Sequence, residues 1–221
     1  MKLVSSLFCS QIVIEKGRPF SLVIENRTLF RRLIEDIRLQ QGGDIGECVL
    51  SEDNCPLKMK DTVDLLDSFA PFEINTKTVM SVVSDVIFEK SVDADHYNTT
   101  NKLLADIEKY IDVLCFDLPF SVECRKLDVK SLVKAASVSI VDDHSSELER
   151  IIDYMSIVHD FTKVKLFVTV NMASFFDGDE LDLFLKTISG RDFALLMIES
   201  FDRPLPSDLP KLIIDADLCE I

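Results

Sequence analysis

Residues 165–186 read KLFVTVNMASFFDGDELDLFLK. A short apolar run, LFVTV, breaks at Asn171 into a turn of small residues, and the chain restarts with apolar side chains at helical spacing over 178–189. A second apolar run, FALLMIE, follows directly. Strand, helix and strand in that order predict a right-handed βαβ unit, its parallel pair buried between helices, because strands covered on both faces are apolar throughout rather than alternating.

Outward from this unit the texture divides the chain in three. Near the N-terminus LVSSLFCS and QIVIEKG alternate apolar and polar residues as a half-buried strand pair does, and FSLVIEN is a short, mostly apolar run. In NRTLFRRLIEDIRLQQGG the apolar Leu29, Phe30, Leu33, Ile34 and Ile37 recur at helical spacing, with Asn26 placed to cap the helix and Gly42-Gly43 to end it. CVLSED and TVDLLDS read as further strands. From Thr76 to Phe161 apolar residues return every three or four positions, as in helices, and strand texture resumes at VKLFVTV, FALLMIE and KLIIDADL. The expected fold class is α/β: a degenerate nucleotide-binding (P-loop-like) head with a parallel-strand core, formed by residues 1–75 and 162–221, with an inserted α-helical domain over 76–161.

With 221 residues, 47% of them hydrophobic, the chain can bury a substantial core. It has no run of eighteen apolar residues, and its first segment is too short and mixed for a secretory signal, so no membrane span and a cytoplasmic location are expected. The six cysteines include no C-x-x-C pair and lie far from the three histidines, which disfavours a zinc or redox centre and leaves buried free thiols. Isolated histidines nominate no Ser/His or Cys/His nucleophile.

A working phosphate loop needs glycines whose neighbouring amides cradle the phosphates, a lysine, and a hydroxyl for magnesium. Between FSLVIE and its helix the chain instead reads NRT, with no glycine. The carboxylate that holds magnesium at the end of a following strand is replaced by Asn171. The acidic DGDE at 177–180 suits a helix start better than a metal, since Asp177 and Glu180 have capping-box spacing. No nucleotide is expected as a cofactor.

The net charge of −15 opposes a protein that coats nucleic acid with its whole surface. Residues 1–38 nevertheless carry seven basic against four acidic side chains, a net of +3 that leaves −18 for the remainder. At about 100° per residue Arg27, Arg31 and Arg38 fall within roughly 40° of one another, opposite the apolar arc. Such a stripe is either a solvated face or a wall for phosphates. Lys58, Lys60, Lys163 and Lys165 are further candidates for the same wall.

The degenerate first strand and helix, the run LKMKDTVDLLDSFAPFEINTKTVM leading into helices, and the late KVKLFVTVNMASFFDGDEL with FALLMIES and KLIIDAD resemble the small CRISPR-associated spacer-acquisition protein of type II-A systems. The resemblance covers most of the chain and implies a non-enzymatic antiviral-defence protein, a homotetramer whose cation-lined ring threads double-stranded DNA from free ends. It implies as partners the adaptation integrase and the RNA-guided nuclease. It also implies calcium held by carboxylates after the long helix. In the matching CFDLPFSVECRKLDV, Asp117 and Glu123 remain, whereas Arg125-Lys126, proline and apolar residues stand where the family tends to have carboxylates. Calcium takes six to eight oxygens, so these two are a poor cage and read equally as ion-paired or solvated groups. Two rivals stay open: an acidic protein-binding adaptor without DNA affinity, and a nucleotide-binding enzyme.

Overall fold

The computed structural model describes residues 1–116, 118–123, 126–204 and 209–221. The chain runs β1 (Lys2–Ser5), β2 (Ile12–Val13), β3 (Phe20–Ile24), α1 (Arg27–Gln41), β4 (Cys48–Glu52), β5 (Cys55–Pro56), α2 (Met59–Thr62) and β6 (Val63–Leu66). Four helices follow, α3 (Lys77–Ser91), α4 (Tyr97–Cys115), α5 (Val129–Ala135) and α6 (Glu147–Phe161), and then β7 (Leu166–Val170), α7 (Gly178–Gly190), β8 (Leu195–Glu199) and β9 (Lys211–Ile214).

β7, α7 and β8 form the expected βαβ unit: the two strands are neighbours and parallel, with Val168 opposite Leu196. Every residue of both strands is buried, which is why their sequences do not alternate. They are part of a five-stranded parallel sheet in the order β6-β7-β8-β3-β9. A second, antiparallel sheet, β2-β1-β4-β5, contains the alternating N-terminal pair. Leu3, Ile12 and Leu50 of that sheet, Leu29, Leu33 and Ile37 of α1, and Leu22, Val168, Leu196 and Ile198 of the parallel sheet share one core. Each such aliphatic side chain contributes about 1.5–3 kcal/mol on burial, so α1 is held by its apolar stripe more than by intrinsic helix propensity.

Asp36 is a buried charged group beside this core. Its carboxylate accepts from the backbone N–H groups of Glu47 (2.6 Å) and Cys48 (3.0 Å) and from Gln40 Nε2 (2.8 Å), tying α1 to the start of β4. A Cβ on Gly46 would collide with that carboxylate, so the chain needs glycine there. At the other helix starts the expected caps are made: Asn26 Oδ1 accepts from Leu29 N–H (3.0 Å), and Asp177 and Glu180 form a reciprocal capping box. The acidic 177–180 segment is thus engaged as a cap.

The chain divides into two compact units, Met1–Phe72 with His144–Ile221, and Glu73–Asp143. This corrects the expected far boundary at 162, because α6 belongs with the head. It buries Ile151, Met155 and Val158, and Tyr154 donates its hydroxyl to Asp64 Oδ2 (2.9 Å). Helical periodicity shows that a face is buried without showing against which domain. Within the inserted unit α3 packs on α5, while α4 has no buried residue along its 19 positions. The cysteine expectation also needs correcting: among the described residues all are free, yet Cys9, Cys55 and Cys219 are exposed and only Cys48 is buried.

Candidate nucleic-acid interface

In open parallel sheets ligands bind outside the carboxyl ends of the strands, so that edge is the place to look for nucleotide chemistry. Here it is tied shut by side chains. β3 leads to α1 through Glu25 and Asn26 alone, and Asn26 uses its oxygen to cap α1 and its Nδ2 to hold Ala216 O (3.0 Å). One of the first-turn amides that would receive a phosphate, Leu29 N–H, already has an internal acceptor. At the end of β7, Asn171 takes a left-handed conformation (φ 53°) and accepts from Ser200 N–H at 2.8 Å. Glu199, ending β8, accepts from Ala173 N–H at 3.1 Å. Asn171 thus stands where a magnesium carboxylate would follow β7, and no lysine lies between β3 and α1.

The amino-end edge differs. Pro56, Leu57, Lys58, Asp61, Thr62, Thr162, Lys163 and Lys165 surround a shallow groove of about 420 Å³ where α2 and β6 meet the start of β7. Backbone pairing holds the two sides together, Lys165 N–H donating to Thr62 O at 2.8 Å. Three of the seven candidate cations, Lys58, Lys163 and Lys165, are therefore brought to one concave surface, although a hundred residues separate them in sequence. Lys165 is also paired with Glu52 at 2.5 Å, and this bond holds the Glu52 carboxyl below its ordinary value. Lys60 stretches over the end of α1, where a Cβ on Gly43 would stand 3.6 Å from its ammonium.

Arg27, Arg31 and Arg38 are all exposed on α1, as their spacing predicts. They are not equivalent. Arg31 pairs with Glu35 at 3.7 Å and Arg38 pairs with Asp67, while Arg27 carries no ion pair among the described residues. At 1.5 Å per residue Arg27 is about 16 Å along the axis from Arg38, toward the closed edge of the sheet. Neighbouring Arg32 binds Glu47 at 2.8 Å. The sequence reading missed these partners because Asp67 and Glu47 lie on other segments; Glu35, four residues after Arg31, was the readable one.

Of the two carboxylates nominated for calcium, Asp117 lies outside the described residues, and Glu123 is exposed in the irregular segment beyond α4. Among the described residues no three Asp, Glu, His or Cys side chains gather as metal ligands. Glu123 alone does not supply the oxygens calcium requires.

By its fold the chain is an α/β protein of P-loop-like, nucleotide-binding architecture with the phosphate loop missing. The sequence model of the CRISPR-associated protein family Cas_Csn2 matches residues 40–218, and the chain belongs to that family. Among solved structures it is similar to Stu0660 of Streptococcus thermophilus, with 13% identity and a TM-score of 0.63 over 97% of this chain and 74% of that one. It is also similar to cbiO1 from Clostridium perfringens, part of the ABC transporter complex cbiONQ, with 11% identity and a TM-score of 0.51 over 96% and 79%. At these identities the likenesses establish the fold alone. No helix among the described residues is long and apolar enough to cross a membrane.

Proposed function

We propose that this chain is a non-catalytic, ring-forming protein that binds the ends of double-stranded DNA during CRISPR spacer acquisition. It would act in the cytoplasm with the adaptation integrase and the RNA-guided nuclease. The observation that carries the reading is the lysine groove: Lys58, Lys163 and Lys165 converge on one surface of a chain whose net charge is −15. Lys60 and Arg27 add two more cations without ion pairs among the described residues. Phosphate contacts of this kind hold a duplex without reading its sequence. Repetition around a ring multiplies a few contacts per copy into a firm grip. Self-association is supported by α4, on which Leu103, Tyr110 and Leu114 are exposed within an arc of about 40°. A lone helix with such a face is marginal in water and gains by burying it against another copy.

The test compares affinity for linear duplex DNA and for covalently closed circles of the same sequence across a salt series. Salt-sensitive binding of the linear form alone is the expected result, because a closed ring admits DNA only at an end. Equal binding of both forms refutes threading. A second reading, a protein-binding adaptor, is favoured by the acids that already neutralise Arg31, Arg32, Arg38 and Lys165. A stable complex with the integrase, combined with no duplex affinity at low salt, selects that adaptor.

A further inference from the structure

The carboxyl-end edge of the parallel sheet holds a second device, independent of DNA. Glu199 and Asn171 form a reciprocal lock. Asn171 Oδ1 takes the N–H of Ser200, which follows β8, and Glu199 takes the N–H of Ala173, which follows β7. Each strand exit is thus held by the other's terminal side chain. Asn171 N–H donates to Ile198 O at 2.8 Å, continuing the ladder one step past β7 into its left-handed turn.

The lock positions more than itself. The turn it fixes contains Met172–Ser174 and continues to Phe175 and Phe176, whose rings lie 5.5 and 6.2 Å from the fully buried Phe69. Phe72 in the same short segment stacks edge-on against Tyr154 at 5.2 Å and donates its N–H to Glu147. These residues immediately precede Glu73, where the inserted unit begins.

Glu199 is 2% exposed. Burial raises its carboxyl to about 7, against the opposing pull of the Ala173 N–H, Arg203 and the Met172 N–H. Arg203 is the charged group whose field reaches it among the described residues, and its guanidinium is spent in part on Ser174 Oγ (3.2 Å). The neighbours across the lock, Asn171, Met172 and Ala173, are neutral. An acid whose folded pKa lies above its unfolded one stabilises the fold fully below the unfolded value and loses that contribution as pH rises through the folded value. Ionisation strengthens the bond from Ala173 N–H, but burial of the charge outweighs that gain together with the pull of Met172 N–H and Arg203.

We propose that Glu199 is a proton-operated latch: neutral, it keeps the turn after β7 closed on β8 and Phe69 clamped, and ionised, it releases both. Proton binding at Glu199 would then set the stiffness of the segment that precedes Glu73.

Hydrogen exchange of the full chain tests this at a series of pH values from 5.5 to about 8.5, corrected for intrinsic rates. Protection of the amides of Ala173, Ser200 and 67–72 is expected to fall at least tenfold across that range, while the amides of β3 and β8 stay protected. Glu199→Gln should hold the low-pH protection throughout. Equal pH dependence in Glu199→Gln and the unaltered chain overturns the latch, because another group would then be responsible. Should the variant fail to fold, a carbon-13 titration of the Glu199 carboxyl in the unaltered chain decides: a midpoint near 7 supports the latch, and one near 4.5 removes it.

Discussion

The two edges of the parallel sheet have been put to opposite uses. At the carboxyl edge Asn26, Asn171 and Glu199 spend their polar atoms on nearby backbone N–H groups. At the amino edge Lys58, Lys163 and Lys165 line a groove, and only Lys165 is ion-paired among the described residues. The carboxyl edge is where this architecture keeps its ligand chemistry, and the amino edge is ordinarily a matter of stability. The contrast teaches that fold kinship locates a site only when the residues at that site are checked one at a time.

The sharpest way to break the contrast is to reverse the amino edge. Lys58→Glu, Lys163→Glu and Lys165→Glu together are expected to weaken duplex binding on the order of a hundredfold at low salt and to lower the slope of log affinity against log salt by about 3. Oligomeric state, followed by light scattering, should not change. Unaltered affinity would return the lysines to the role of solvated surface and leave the adaptor reading in front. The same reversal on Arg31 and Arg38 should have a smaller effect, since both of those charges are already paired, whereas of the three lysines only Lys165 is.

Burial alone does not decide how an acid behaves, as Asp36 and Glu199 illustrate within the same head. Burial pushes the Asp36 carboxyl up, but hydrogen bonds from Glu47 N–H, the Cys48 thiol, Gln40 and Cys48 N–H together hold it below its ordinary value. Its stabilisation is therefore present at neutral pH and lost as pH falls through the lowered value, opposite in sign to Glu199. Asp36→Ala leaves two backbone N–H groups without acceptors, and a loss of about 3 kcal/mol is expected from denaturant titration at pH 7. A loss much below 1 kcal/mol would mean that water replaces the carboxylate.

Asn26 tests whether the closed edge can be reopened. Asn26→Ala removes the cap of α1 and the bond to Ala216, for an expected cost of about 1 kcal/mol. ATP with magnesium should give no thermal shift in this variant, because the glycines and lysine of a phosphate loop are still missing. A clear shift would restore the nucleotide-binding reading.

Much of this was readable in the sequence for local reasons. The βαβ unit over 165–199 declares itself through two five-residue apolar runs around an amphipathic helix, and its Asp177–Glu180 capping box is a four-residue pattern. The arginine face of α1 follows from spacing alone. The rest depended on folding distant segments together. Lys58 meets Lys163 because β6 pairs with β7, and α6 joins the head through its buried Ile151, Met155 and Val158 and the Tyr154–Asp64 bond. The neutralising acids Glu47, Asp67 and Glu52 sit in turns or strand ends whose neighbours no periodicity reveals. Glu199 left one faint sign, a lone acid closing the apolar run LLMIE.

The smallest expected effect concerns Asp67, which follows β6 and neutralises Arg38. Exposed ion pairs contribute roughly 0–1 kcal/mol, so Asp67→Asn should barely move stability. It should, however, release Arg38 beside Lys60 at the end of α1 and raise duplex affinity about two- to threefold at low salt, with a slope steeper by somewhat under 1. Such a gain would mean that Asp67 and a phosphate compete for Arg38. A variant that binds DNA no better than the unaltered chain would place Arg38 outside the path of the duplex. The contact surface would then shrink to the lysine groove, and the closed and open edges of the sheet would differ only by three lysines.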